Sequence, residues 1–427
     1  MPRRGLLTYE NALVLILGLT FGFVFFDRQA PSNLMAYIFK DLNLNQTEVG
    51  LIGSALSFTW AISALLVGLI SDRTGKRKPL LIICVIGFSL CSVVSGFAHD
   101  FKALMAARVL MGMLEGGVMP ICLAIMSAES SPNRRGLNAG IVQNGFSNLV
   151  GNAAGPVILV AIAATAGLGW RDAFFLSGIP GLLCALAIWL WVKEPANPEP
   201  QAAPAHPAAR AGIMTIILDV LRMMKVRNVL VCSLVSIFMV AWLITGFSFL
   251  PLYLVQTHGL TPVAASHIMF ALGICAFLGG ALVPALSDRV GRRPVLIFGC
   301  FLSVIGPMAM LWYTGPTLVL ATILFFGWVG NCVFPMFMGT IPGESLPRAS
   351  VATAMGIVVG VGEILGGVFG PWIAGELADH TSLGHNAPML MMIACAVIAG
   401  IIALFLKETA PAKVGGAPVE AAIAIAA

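Results

Sequence analysis

Four ionisable side chains stand inside apolar runs of this chain: Asp27 and Arg28 side by side, then Arg108 and Glu115 seven residues apart. A charged side chain at the centre of a membrane helix costs about 2.5–3.5 kcal/mol on insertion scales. Four of them facing lipid would cost on the order of 10 kcal/mol, so they must face a wet cavity or one another. A guanidinium meets a carboxylate with a bidentate fork and never loses its charge, which suits Arg28 and Arg108 to holding an organic anion. A carboxyl in a partly dry cavity beside arginine is poised between its two charge states, which suits Glu115 and Asp27 to taking up and releasing a proton. The bland alternative is a permanent Asp27–Arg108 or Glu115–Arg28 bridge that only locks two helices. Arg108 and Glu115 share a helix face but stand roughly 10 Å apart along its axis, too far to bridge each other. Gly112, Gly116 and Gly117, on or beside that face, are expected to leave space where something can approach.

Glu363, in Gly362-Glu363-Ile-Leu-Gly366-Gly367, is a further candidate for proton coupling, with a neutral hydrogen-bonded side chain as the alternative. Gln143, Asn144, Asn148 and Asn331 are polar residues in apolar runs that can bind substrate or join helices. None of the six histidines pairs with Asp or Ser at a catalytic spacing, and there is no GxxxxGK[ST] phosphate loop. The nine cysteines stand singly, with no CxxC and no Cys/His metal spacing. No enzyme site, cofactor or metal is expected, and an ATP-driven pump is excluded.

The elements that must position these residues follow from composition. Of 427 residues, 59% are hydrophobic and only 10% charged, against about 25% charged in ordinary soluble domains. The 24 basic residues fall between long apolar runs rather than clustering, which excludes a soluble enzyme, a nucleic-acid binder and a disordered chain. Runs of about 20 apolar residues, enough to cross a hydrocarbon core of roughly 30 Å, lie near 11–37, 49–70, 79–98, 102–126, 137–163, 172–192, 229–254, 264–287, 294–313, 317–340, 351–374 and 387–407. The expected fold is an all-α membrane protein of twelve transmembrane helices. The first run could mimic a signal peptide, but it ends in Asp27-Arg28 rather than a small-residue cleavage site, so it is kept as a helix. With both termini in the cytoplasm, 19 of the 24 basic residues are cytoplasmic, as the positive-inside rule asks, which places the chain in a cell or inner membrane.

The second half repeats the first at an offset of 215 or 216 residues. Ser71-Asp72-Arg73-x-Gly75 returns as Ser287-Asp288-Arg289-x-Gly291, Pro120 as Pro335, Glu129 as Glu344, and Gly155-Pro156 as Gly370-Pro371. Six helices per repeat in one orientation make two bundles related by an axis along the membrane normal. The expected division is a bundle over 1–192, a Pro/Ala-rich cytoplasmic linker over 193–228, a second bundle over 229–410 and a disordered tail over 411–427.

Gly68-Leu-Ile-Ser-Asp72-Arg73-Thr-Gly75-Lys76-Arg77-Lys78 resembles the signature loop of the major facilitator superfamily, and the likeness extends over essentially the full chain. A finer resemblance is to its anion:cation symporters, which carry Asp-Arg in helix 1 and Arg with Glu seven residues later in helix 4. Here these are Asp27-Arg28 and Arg108 with Glu115. Those symporters usually precede Asp-Arg with Asn-Tyr and one apolar residue. Val24-Phe25-Phe26 stands here instead, so two polar sugar-binding groups are missing. The resemblance implies alternating access, with Asp72 and Arg73 and their repeats Asp288 and Arg289 gating the inner side. The expectation is proton-coupled symport of a small, little-hydroxylated organic anion by a monomer. Rival readings are a proton antiporter exporting drugs or amphipathic lipids, from Gly151-x-x-x-Gly155-Pro156, and a receptor that kept the fold without transporting.

Overall fold

A computed structural model describes residues 8–131, 134–195, 222–346 and 348–414. Among them, twelve helices are long and apolar enough to cross a membrane. They are α1 (Tyr9–Asp41), α2 (Gln46–Thr74), α3 (Arg77–Gly96), α4 (Phe101–Glu129), α5 (Arg135–Ala164), α6 (Trp170–Trp191), α7 (Arg227–Gln256), α8 (Pro262–Val290), α9 (Arg292–Trp312), α10 (Thr317–Glu344), α11 (Thr353–His380) and α12 (Gly384–Ala403). No strand occurs among the described residues. Most of the expected linker, and the tail beyond Val414, lie outside them.

Local chemistry sets the helix ends. Thr8, Asn45 and Asp100 accept from backbone N–H groups of the first turns of α1, α2 and α4, and Asn45 with Glu48 forms a full capping box. The ends of α2 and α8 repeat one device. Gly75, at φ 66°, turns its N–H back to the Ser71 carbonyl, and Gly291, at φ 121°, does the same to Ser287. Only glycine takes these backbone angles without strain.

Two compact units form. One is built from the described residues of Met1–Glu199 with Phe247–Phe277, and the other from those of Pro200–Gly246 with Leu278–Ala427. The core of the first gathers Leu13, Leu17 and Phe21 of α1 with Val85 and Phe88 of α3 and Ile121 and Ile125 of α4.

Several helices are irregular at mid-span. α4 breaks at Gly116-Gly117. α5 carries π-helical segments at Ile141–Gly145 and Ser147–Ala154, α10 a 3-10 segment at Trp328–Val333, and α11 a π-helical segment at Gly362–Val368. Such segments release backbone groups from the regular ladder and recur at functional sites. The second of those in α5 and the one in α11 begin at Ser147 and Gly362, one repeat apart.

Candidate functional site

Pro31 lies inside α1. Having no N–H, it cannot donate to the carbonyl four residues back, which belongs to Asp27. Arg108 of α4 takes that place, its Nη1 donating to the Asp27 carbonyl oxygen at 3.2 Å. Its Nη2 donates to the Ser95 hydroxyl at 2.9 Å, and the guanidinium sits 5.6 Å from the Phe174 ring centre. Arg108 is 1% exposed. Its two terminal nitrogens and its face thus meet neutral groups, while Nε has no hydrogen-bond partner.

Arg28 is placed differently. One residue further round α1, it is only partly buried, donates to the Ser57 hydroxyl at 3.4 Å, and lies 5.2 Å from the Trp60 ring centre and 5.8 Å from that of Phe25. The aromatic faces hold the guanidinium plane by cation–π attraction.

The structure brings both carboxyls of the sequence-derived set to these arginines. Glu115 stands in the field of Arg28 and Arg108, and Asp27 in that of Arg108. Both are fully buried, and none of their four oxygens has a hydrogen-bond partner. Neither locking bridge is made.

The glycines around Glu115 correct an expectation. A Cβ on Gly112 would lie 2.6 Å from the Leu56 carbonyl, and one on Gly116 would lie 2.8 Å from the Ala64 N. Gly117 is filled by Val67. These residues let α4 press against α2 backbone to backbone, and helix 2 occupies the space assigned to an approaching ligand. Gly151 does the same for α5 against Phe25 and Phe26 of α1.

The other candidates lie elsewhere. Gln143 donates to the Met119 sulfur at 3.5 Å, and Asn144 is exposed, its carbonyl accepting from Asn148, which in turn accepts from Asn152. Asn331 and Glu363 are partly buried in the second unit, on the 3-10 and π-helical segments of α10 and α11. The side chain of Asp72 lies outside the described residues, and Arg73 and Arg289 are exposed.

Asp288 pairs with Arg292 at 2.5 Å, and Arg292 also pairs with Glu344 at 2.8 Å while nearly buried. Glu408 accepts from the N–H groups of Arg292 and Arg293 at the start of α9. Glu194 accepts likewise from Arg77 and Lys78 at the start of α3. These clamps escaped the reading of the sequence, although Lys193-Glu194 and Lys407-Glu408, following α6 and α12, were a visible repeat.

One sequence-family model, described as Major Facilitator Superfamily, matches residues 17–358 and 250–426. The chain belongs to the Major Facilitator Superfamily. It is a multi-pass membrane transport protein of that superfamily, not an enzyme. It is similar to the probable 4-methylmuconolactone transporter of Cupriavidus pinatubonensis (strain JMP 134 / LMG 1197), at 29% identity over 90% of this chain and 87% of that one. It is also similar to the 3-(3-hydroxy-phenyl)propionate transporter of Escherichia coli (strain K12), at 29% identity over 86% of this chain and 88% of that one. The bacterial homolog to the human lysosomal transporter Spinster, in its inward-facing and unoccupied conformation, shares the fold with a TM-score of 0.71 at 20% identity. That match covers 94% of this chain and 97% of the other.

Within this superfamily fold the two repeats differ at the position that matters. Gly151 packs on the backbone N of Phe26, and Gly366, its repeat, on that of Ala241. One residue on, Asp27 therefore corresponds to Trp242. Trp242 is fully buried, packs 4.9 Å from Trp328, and donates its indole N–H to the Ser303 carbonyl at 3.2 Å. At the same offset Glu115 corresponds to Gly330, which is closed against Ser303. Of the four charges, Asp27, Arg108 and Glu115 are fully buried in the first repeat, and their counterparts in the second are apolar or absent.

Proposed function

We propose that the chain carries a small organic anion across the membrane together with protons, by alternating access. Arg28 binds the carboxylate of the substrate and Glu115 is the main proton-coupling group. The observation that carries this reading is the contrast between the two arginines. Arg108 is sealed, with both terminal nitrogens on neutral groups, whereas Arg28 is partly open, oriented by Trp60, Phe25 and Ser57, and within the field of a buried glutamate that has no hydrogen-bond partner. An anion on Arg28 and a charge on Glu115 compete for the same positive field, so protonation of Glu115 favours substrate binding. That is the linkage a symporter needs.

The aromatic walls beside Arg28 favour a flat, little-hydroxylated carboxylate, and one of the similar transporters is named for an aryl propionate. Gln143, Asn144 and Asn331 are secondary substrate contacts, and Glu363 a secondary proton site. Asp72 with Arg73, and Asp288 with Arg289, close the inner gate, and the chain divides into bundles over 1–192 and 229–410 joined by 193–228. The chain works as a monomer in a cell or inner membrane with both termini cytoplasmic.

The test uses purified protein in proteoliposomes with an inside-alkaline pH gradient. Aryl carboxylates should accumulate above their outside concentration, and a protonophore should abolish the accumulation. With the gradient reversed to inside-acidic, uptake of cationic drugs in exchange for internal protons, with carboxylates left outside under either gradient, would replace this reading by antiport.

A further inference from the structure

The α3 helix carries Ser89, Ser92 and Ser95 on one face, and α6, which packs on α3, carries Ser177. Gly178 makes this possible, since a Cβ there would lie 2.7 Å from the Ser89 carbonyl. All four hydroxyls are buried. Three have definite tasks. Ser89 donates to the Val85 carbonyl, Ser95 donates to Cys91 and accepts from Arg108, and Ser177 donates to Phe174. The Ser92 hydroxyl has no partner, and neither do the Arg108 Nε and both oxygens of Asp27. The polar groups that act on the Asp27 carboxyl are Ser92, Ser177 and Arg108.

Unspent donors and acceptors thus converge on one carboxyl that no solvent reaches. Buried polar groups are paired in nearly all structures, and leaving one unpaired forfeits the hydration it gave up on burial. A carboxyl that alternates between protonated and charged forms needs partners for both. A serine hydroxyl can serve both, because it rotates between accepting and donating while keeping its own proton.

We propose that Ser92 and Ser177 are positioning residues for a coupling proton held on Asp27, in a compartment sealed from the substrate by α1, α3, α4 and α6. When Asp27 is protonated, its O–H donates to a serine oxygen. When the proton leaves, the Ser92 hydroxyl turns and donates to the carboxylate, and Arg108 balances the charge. No hydroxyl gains or loses a proton in this exchange. The other titratable groups in the same field are Glu115 of α4, which also acts on Arg108, and Cys91 of α3. From α6 the polar group acting on the carboxyl is Ser177. The proposal rests on the proton-coupled reading, but the spectroscopic part of its test needs no substrate.

The test is infrared difference spectroscopy of the purified protein between acid and alkaline pH. A carboxylic C=O band that disappears in Asp27→Asn should move to higher wavenumber in Ser92→Ala and in Ser177→Ala, and move back in Ser92→Cys, which restores a weak donor. Each alanine variant should also displace the pH of half-maximal proton-driven uptake by about one unit, the worth of one hydrogen bond. In the parent protein the Asp27 band should deuterate more slowly than the band lost in Glu115→Gln, which keeps the proposal testable if the serine variants fold poorly. A band unmoved by both serine variants, or no Asp27 band at any pH, overturns it. Proton-driven uptake that persists without an Asp27 band would sink this inference alone and leave the symport reading standing.

Discussion

Arg108 donates to the backbone carbonyl of Asp27 and not to its carboxylate. The hold of α4 on α1 is therefore independent of whether Asp27 carries a proton. A bridge to the carboxylate would break at each protonation, whereas a bond to a carbonyl freed by Pro31 survives the whole cycle. Replacing Pro31 with Ala supplies an N–H that competes for that carbonyl. A proline costs a helix interior about 3 kcal/mol and a hydrogen bond from a charged donor is worth about 1.5–3 kcal/mol. Thermal stability of Pro31→Ala in detergent should therefore change little while uphill uptake falls severalfold. Full uptake by this variant would show that Arg108 needs no such anchor.

Glu115→Gln removes the proton but keeps the shape. Gradient-driven accumulation should be lost, and exchange of labelled for unlabelled substrate between equal pools should continue. Accumulation at the parental level would move the coupling role to another carboxyl.

The two arginines should fail in different ways. Arg28→Lys keeps the charge and loses the fork, so substrate affinity should drop by a factor corresponding to about 1.5–3 kcal/mol, read as a rise in the half-saturating concentration of uptake. Arg108→Ala strips donors from a sealed site and leaves the Asp27 carbonyl without its donor and the Ser95 hydroxyl with Cys91 alone. It should cost about 3–5 kcal/mol and show as a large drop in melting temperature. Equal losses of affinity and equal melting temperatures would erase the distinction.

Gly112→Val tests what the glycines do. Side-chain atoms there meet the Leu56 carbonyl, and overpacking of this kind costs about 1–3 kcal/mol. Melting temperature should fall. A variant as stable as the parent, with substrate binding lost, would restore the idea of a ligand-facing groove.

Glu408, beyond the end of α12, gives a pH signature. Burial works against its charge, but the backbone N–H groups of Ala410, Arg292, Arg293 and Thr409 prevail and hold its carboxyl below the ordinary glutamate range. A carboxyl lowered on folding stabilises the protein above its unfolded pKa of about 4.3 and loses that contribution as pH falls through the lower folded value. Glu408→Gln should melt lower than the parent at pH 7, with the gap closing below about pH 4. A gap of constant size at both pH values would mean the charge is irrelevant.

The helices were legible because the bilayer demands long apolar runs, and twelve expected spans match twelve helices. Their ends were less so. α1 runs on through Lys40-Asp41 and α11 to His380, since polar turns prolong a helix beyond the apolar core without signalling it. The four charges were found because each is expensive in an apolar run. Ser92 and Ser177 were not, as serine is cheap there and only packing sets two of them before one carboxyl. The glycines were misread for a related reason. A gap in a side-chain row can admit a ligand or a neighbouring helix, and sequence does not say which.

Trp242 standing where Asp27 stands in the other repeat has a consequence for how this gene can change. A duplicated chain begins with two copies of every residue, yet here one repeat carries Asp27 and Glu115 where the other has Trp242 and Gly330. The first half is bound by charge, so isosteric neutral replacements around residues 27, 108 and 115 should be purged from a library selected for growth on the substrate. At 242 and 330 the same selection should weigh close packing and the indole bond to Ser303 rather than charge. Swapping the halves of two such genes would then transfer proton coupling with the first segment, whatever accompanies it.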